Sequence, residues 1–283
     1  MWMVNLNRHF AKISKGLKIS TFLFLWNSLF HSFTLSILLY WSMTSTQIPA
    51  LFRMTSLNQF LSENQIFFAT LSSLSALFFF KNAFLEIWQL RSELFPEFSR
   101  SCLRGFGFGG LMLWFLTLGH HYQYLGFSSQ LDLNFLTSYA WILRTLLLFL
   151  FVTSTELLVR VVLKNTLPLG ILSILIQNFT LILIYWIWFN PKPTEQITLL
   201  LLFALFSSPA ASIGFLSALF ILVHAICGLN FFENEFVGLL QFKILAPNEE
   251  SFFQNFTLQI VLGILLLLLG YGRLKSRKES TLA

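Results

Sequence analysis

Charge is scarce in this sequence. Of its 283 residues, 18 are Lys or Arg and 12 are Asp or Glu, 11% in all. A soluble domain carries about 25% charged residues, so this chain cannot clothe a water-exposed surface. Cysteine is scarcer. Cys102 and Cys227 set neither a disulfide framework nor a metal-site spacing, and Cys227, inside an apolar run, reads as a small hydrophobe. The net charge of +6 could suggest nucleic acid. The basic residues, however, stand at the ends of apolar segments, where membrane topology needs them. No nucleic-acid partner is expected. No repeat, low-complexity stretch or separate soluble domain is visible.

What is abundant is apolar. Hydrophobic residues make up 56%, including 35 Phe, and mean hydropathy is +0.72. A transmembrane helix needs roughly 20 consecutive apolar residues. Runs of that kind lie at 20–43, 65–85, 105–126, 135–161, 169–189, 195–207, 210–229 and 254–272. The expectation is an all-α, polytopic transmembrane helix bundle of about eight spans, one integral membrane domain over residues 1–283. The sixth run is short and ends at Ser207-Ser208-Pro209, so it reads as a broken or re-entrant partner of the seventh. The first run exceeds the roughly 7–15 residues of a signal-peptide core and no small-residue cleavage pattern follows, so it reads as a retained span.

Lys and Arg set the orientation. Arg8, Lys12, Lys15 and Lys18 precede span one. Lys81, Arg91, Arg100 and Arg104 follow span two, Lys164 follows span four, and Arg273, Lys275, Arg277 and Lys278 follow span eight. With eight spans these all share one side, and only Arg53, Lys192 and Lys243 fall opposite. The positive-inside rule then places both termini in the cytoplasm, in a bacterial inner membrane by residue usage. Segment 86–104 reads as an amphipathic interfacial element. The loop at 230–252, with Glu233, Glu235, Glu249 and Glu250, reads as solvated and outer.

An ionisable group at bilayer depth costs at least about 2.5 kcal/mol, so each is informative. Span four holds Arg144, Glu156 and Arg160, span seven His224, span one His31, and span three ends at His120-His121. Glu156 and Arg160, four apart, share a helix face in the favourable order. They form either a self-neutralising pair or part of a site. Arg144 reads as snorkelling to the outer interface. A lone His224 reads as a hydrogen-bonded core residue or a ligand. His120-His121, beside Tyr122 and Tyr124, read as an aromatic-belt segment; adjacent helical residues do not converge on one metal. The glycines of Gly105-Phe106-Gly107-Phe108-Gly109-Gly110 follow no strand and precede no Lys, so they read as helix-packing rather than phosphate-binding residues.

The order of these features resembles the CPBP family of CAAX-processing and bacteriocin-processing intramembrane endopeptidases. Thr155-Glu156-Leu157-Leu158-Val159-Arg160 resembles its first motif, EExxxR. Ile184-Tyr185-Trp186-Ile187-Trp188 stands where the second motif, FxxxH, is expected, and is followed by an Asn190-Pro191 of the bacterial kind. His224-Ala225-Ile226-Cys227-Gly228-Leu229-Asn230 resembles the third, HxxxN. A register taking Phe220–His224 as the FxxxH leaves only one span for the third motif. The resemblance covers residues 100–272.

It implies a polar intramembrane cavity where glutamate and histidine activate a water and Asn stabilises the oxyanion. In this sequence Glu156, Arg160 and His224 are kept. The first Glu is Thr155, the second-motif His is Trp188 and the third-motif Asn is Gly228, with Asn230 the substitute if the helix ends there. An indole N–H donates only, and can neither ligate metal nor accept a proton. General acid–base catalysis contributes roughly 10²–10⁴-fold. The resemblance therefore implies a catalytically impaired homologue binding a hydrophobic or lipidated peptide, or another membrane protein, beside the lipid bilayer. Two readings compete: an active peptidase with an altered Glu156/His224 site, with His224 as ligand to a divalent metal such as zinc, and an unrelated transporter. No cofactor is expected in the impaired form.

Overall fold

The computed structural model describes residues 2–44, 57–80, 85, 91–127, 135–167, 171–206, 208–229, 239–245 and 252–268. The chain is mostly helical. It divides into two compact units, Met1–Phe95 with Ser129–Asn190, and Pro96–Ser128 with Pro191–Ala283. Among the described residues four helices are long and apolar enough to cross a membrane: Leu94–Leu118, Thr145–Val162, Leu172–Phe189 and Pro209–Ile226. Two more apolar helices, Gln65–Phe79 and Phe256–Leu268, are shorter.

The first unit is built on α1 (Trp2–Thr44), α2 (Leu57–Phe79), α4 (Phe135–Glu156) and α5 (Ile171–Phe189). Helix α4 continues through a π-helical turn, Leu157–Val162, into a last helical turn, Leu163–Thr166. Phe22 meets Phe79 while Trp26 reaches back to Ser72, so α2 runs against α1. Ser20 pairs with Thr180 and Asn27 with Trp188, so α5 runs along α1. Thr70 bonds the Leu147 carbonyl, level with the Asn27 turn, and Leu167 packs on Gly16, so α4 runs against α1. A Cβ at Gly16 would collide with the Leu167 side chain, which is why glycine stands there. Helix α5 ends where Asn190 takes φ 43°, its N–H bonding Trp186 O at 3.0 Å, and Pro191 follows. Asn tolerates the left-handed region and proline cannot extend a helix, so Asn-Pro is a stop signal.

The second unit holds α3 (Arg91–Leu118, of which it includes Pro96 onward), α6 (Pro193–Ala204), α7 (Pro209–Phe220, continued by a π-helical turn Ile221–Ile226) and α8 (Phe256–Leu268). Proline opens α6 and α7 at their first position, where no intrahelical N–H partner is lost. Asn255 caps α8, its Oδ1 accepting the Leu258 N–H at 3.2 Å. Helices α3 and α7 pack in parallel. A Cβ at Gly214 would strike the chain at Phe98–Cys102, one at Gly105 would strike Phe215 and Ala218, and one at Gly109 would strike Leu219 and Leu222. The packing role expected for this glycine cluster holds for Gly105 and Gly109. Gly107 and Gly110 have nothing within 4 Å.

Three expectations change. Span three was expected to remain helical to residue 126. The helix stops at Leu118 in a Schellman-type turn with His120 at φ 58°. The His121 N–H bonds Leu116 O at 2.9 Å. Residues Tyr122–Phe127 are instead strand β1, paired antiparallel with β2 (Leu240–Ile244). A long-range strand partner outweighs the local apolar pattern, and Leu240–Ile244, within the stretch expected as a solvated loop, is that partner. Tyr122, expected in an aromatic belt, is buried and stacks on Phe252 at 6.4 Å, while Tyr124 is exposed. Finally, 91–104, expected to precede span three, is continuous with it in helix α3, and 86–90 of that segment lie outside the described residues. The described structure is thus helical with one two-stranded ribbon.

Candidate functional site

Glu156 ends the regular part of α4, and Arg160 lies in the π-helical turn that follows. Both are buried, and Arg160 Nε donates to Glu156 Oε2 in the i,i+4 pair that the spacing anticipates. The other oxygen, Oε1, is buried with no hydrogen-bond partner among the described residues. Thr155, which the sequence resemblance aligns with a first-motif Glu, is fully buried. Its hydroxyl donates back to Phe151 O at 2.7 Å and lies near Val152 O at 3.1 Å. A hydroxyl spent on its own helix backbone acts as a helix-turn group rather than as a base.

Trp188 is 1% exposed. Its indole Nε1 donates to Asn27 Oδ1 at 2.9 Å. Asn27 is a hub. The same oxygen accepts from Ser72 Oγ at 3.0 Å, and Nδ2 donates to Leu23 O at 2.8 Å. One amide thus ties α1 to α2 and α5 in a fully buried setting. His31, without a candidate partner in the sequence, stands edge-on to the Trp188 ring with centroids 5.0 Å apart. Tyr185, one turn before Trp188, packs against Phe151 and lies beside Thr155. Asn27, Ser72 and Tyr185 escaped sequence reasoning as site residues. The signal available was a lone Asn in the apolar run of span one, since buried amides in membrane helices seek partners on other helices.

His224 is buried in the π-helical turn of α7, in the second unit. Gly228, which the sequence resemblance aligns with a third-motif Asn, takes φ 61° and ends that helix, its N–H bonding His224 O at 3.1 Å. The Leu229 N–H bonds Val223 O at 3.0 Å. Glycine is the residue that enters this left-handed conformation without cost. The helix does end before Asn230, as the substitute reading requires, but Asn230 itself lies outside the described residues. So does the side chain of Arg144, so its expected snorkelling is not addressed.

The kept residues of the resemblance thus belong to different units, Glu156 and Arg160 to the first and His224 to the second; of the substituted positions, Thr155 and Trp188 lie in the first and Gly228 in the second. Among the described residues no group of three His, Cys, Asp or Glu is placed to hold a metal ion. The described residues alone do not complete a zinc site at His224, since even a catalytic zinc takes three protein ligands. No family profile, curated protein or solved structure matches the chain.

Proposed function

We propose that this chain is a CPBP-like intramembrane endopeptidase homologue of about eight spans. It has lost peptide hydrolysis and uses the former site positions to hold a membrane-embedded scaffold that binds a hydrophobic or lipidated peptide, or another membrane protein. The observation that carries the reading is Trp188. Where the family's second motif supplies a histidine, this chain has a donor-only indole whose single N–H is committed to Asn27.

Two features support the family register. The first-motif pair and the third-motif His224 each fall at a π-helical turn, one in each unit. Such turns are rare and are frequent at functional sites. Helix directions support the span count. Helices α1 and α5 run one way and α2 and α4 the other, as alternate crossings require. Helix α6, with 12 residues, spans only about 18 Å, so it fits a partial crossing. An inner-membrane location with cytoplasmic termini rests on the Lys and Arg distribution.

One observation favours the active-enzyme reading: Glu156 Oε1 is buried without a described partner. The two are separated by incubating purified protein in lipid nanodiscs with fluorogenic hydrophobic and prenylated peptides. The scaffold reading expects peptide binding and no cleavage that Glu156→Gln abolishes. Glu156-dependent cleavage would overturn it.

A further inference from the structure

We propose that the ribbon β1–β2 is a lipid-binding surface, seated in the headgroup–acyl boundary of the bilayer with Phe127 as its deepest anchor. The inference rests on unit-two geometry and is independent of the protease resemblance.

The ribbon begins where two parallel helices end at different heights. Gly109 packs against Leu219 and Leu222, so these residues share a level. Beyond that level α3 continues for nine residues, to Leu118, whereas α7 continues for four past Leu222, to Ile226. Helix α7 therefore stops more than a turn short of α3. Strand β2 fills the step. At its lower end the Leu239 N–H bonds Ala225 O at 3.3 Å, and at its upper end the Leu245 N–H bonds His121 O at 2.8 Å. Both acceptors lie at helix C-termini, whose carbonyls have no partner within the helix.

Strand β1 leaves the upper end and comes back down. Its antiparallel register sets Tyr122 opposite Ile244, near His121, and Phe127 opposite Leu240, near Ala225. The returning strand thus carries Phe127 to the level of the last turn of α7. The terminal turns of α3, which precede the strand in the chain, are apolar and open. Trp114, Phe115 and Leu118 of α3 are 63, 54 and 59% exposed. Phe127 is 81% exposed and Leu125 54%. Exposed apolar and aromatic side chains on the end of a spanning helix and on the strand that follows it match the interfacial belt of membrane proteins. Gln123 and Lys243, paired across the ribbon and exposed, supply the polar groups that headgroups would meet. Among the described residues the ribbon has two strands, and strand edges are better satisfied by water or headgroups than by hydrocarbon, which sets the ribbon at the boundary rather than in the bilayer core. The boundary layer, roughly 5–10 Å deep, is the position that satisfies both.

Nitroxide labels test this in phosphatidylcholine liposomes, using Phe127→Cys, Leu125→Cys and Gln123→Cys on a Cys102→Ser, Cys227→Ala background. Power saturation compares access to oxygen, which concentrates in lipid, with access to an aqueous nickel chelate. The expected result is an oxygen-to-nickel ratio several-fold higher at 127 than at 123, with 125 between or equal to 127. A label at 127 that favours nickel would place the ribbon in water and overturn the proposal. A label at 127 shielded from both would show that protein covers it, and would overturn it equally. If Phe127→Cys does not reconstitute, Leu125→Cys carries the same decision.

Discussion

Trp188 and Asn27, 161 positions apart, are joined by a 2.9 Å hydrogen bond from the indole Nε1 to the amide Oδ1. The bond holds α5 to α1 and, through Ser72, to α2. A buried donor that loses its acceptor costs about 1–3 kcal/mol. Asn27→Leu leaves both Trp188 Nε1 and Ser72 Oγ without that acceptor, and is expected to destabilise by about 2–4 kcal/mol on that basis. Ser72→Ala removes a single donor and is expected to cost about 1 kcal/mol. Reversible unfolding from bicelles reads both. Equal effects would deny Asn27 its hub role.

Under the proposed family reading, Trp188→His introduces the residue type of the second motif. It also empties most of a large buried side chain, a change that costs about 3–5 kcal/mol when truncation is complete. The expected outcome is a less stable protein with no cleavage of fluorogenic membrane peptides, because Thr155 and Gly228 still stand at the other lost positions. A gain of Glu156-dependent cleavage would instead show a site one residue short of activity.

Glu156 and Arg160 form a buried pair. Removing one partner of such a pair strands a charge and costs about 3–5 kcal/mol, whereas replacing both by apolar residues is often neutral. Glu156→Leu and Arg160→Met are each expected to be strongly destabilising. The double variant should recover most of the loss. A double-mutant cycle measures this coupling. Additive losses would mean that the two side chains are bound to other groups instead.

Glycines 105 and 107 are two residues apart with opposite expectations. A Cβ at Gly105 would meet the Phe215 carbonyl, while one at Gly107 meets nothing within 4 Å. Gly105→Ala should push α3 off α7 and lower the melting temperature. Gly107→Ala should be neutral or raise it slightly, since Gly to Ala in a helix gains about 0.5–1 kcal/mol. Thermal unfolding of the two variants side by side checks the packing face.

Helix ends give the last expectation. Gly228 sits at φ 61° and His120 at φ 58°. A left-handed residue other than Gly costs roughly 1–2 kcal/mol. Gly228→Val should therefore destabilise by at least that much, and Gly228→Asn, which restores the motif residue, by less, because Asn tolerates this region. His120→Gly should stabilise by up to about 1 kcal/mol. Matching melting curves for Gly228→Val and Gly228→Asn would contradict the assigned backbone role.

The amino-acid order by itself determined the helical, membrane-type composition, the placement of most apolar helices, the Glu156–Arg160 pairing and the packing use of Gly105 and Gly109. These follow from hydropathy and from helical periodicity, which act over a few residues. Only the tertiary structure decided that Trp188 answers to Asn27, that His31 stands on Trp188, and that 122–127 leaves the helix to pair with 240–244. Those partners lie more than a hundred positions apart, and no local pattern encodes a distant acceptor or strand. The π-helical turns at Arg160 and His224 belong to the same class, because they are changes of backbone register within runs that read as uniform α-helix.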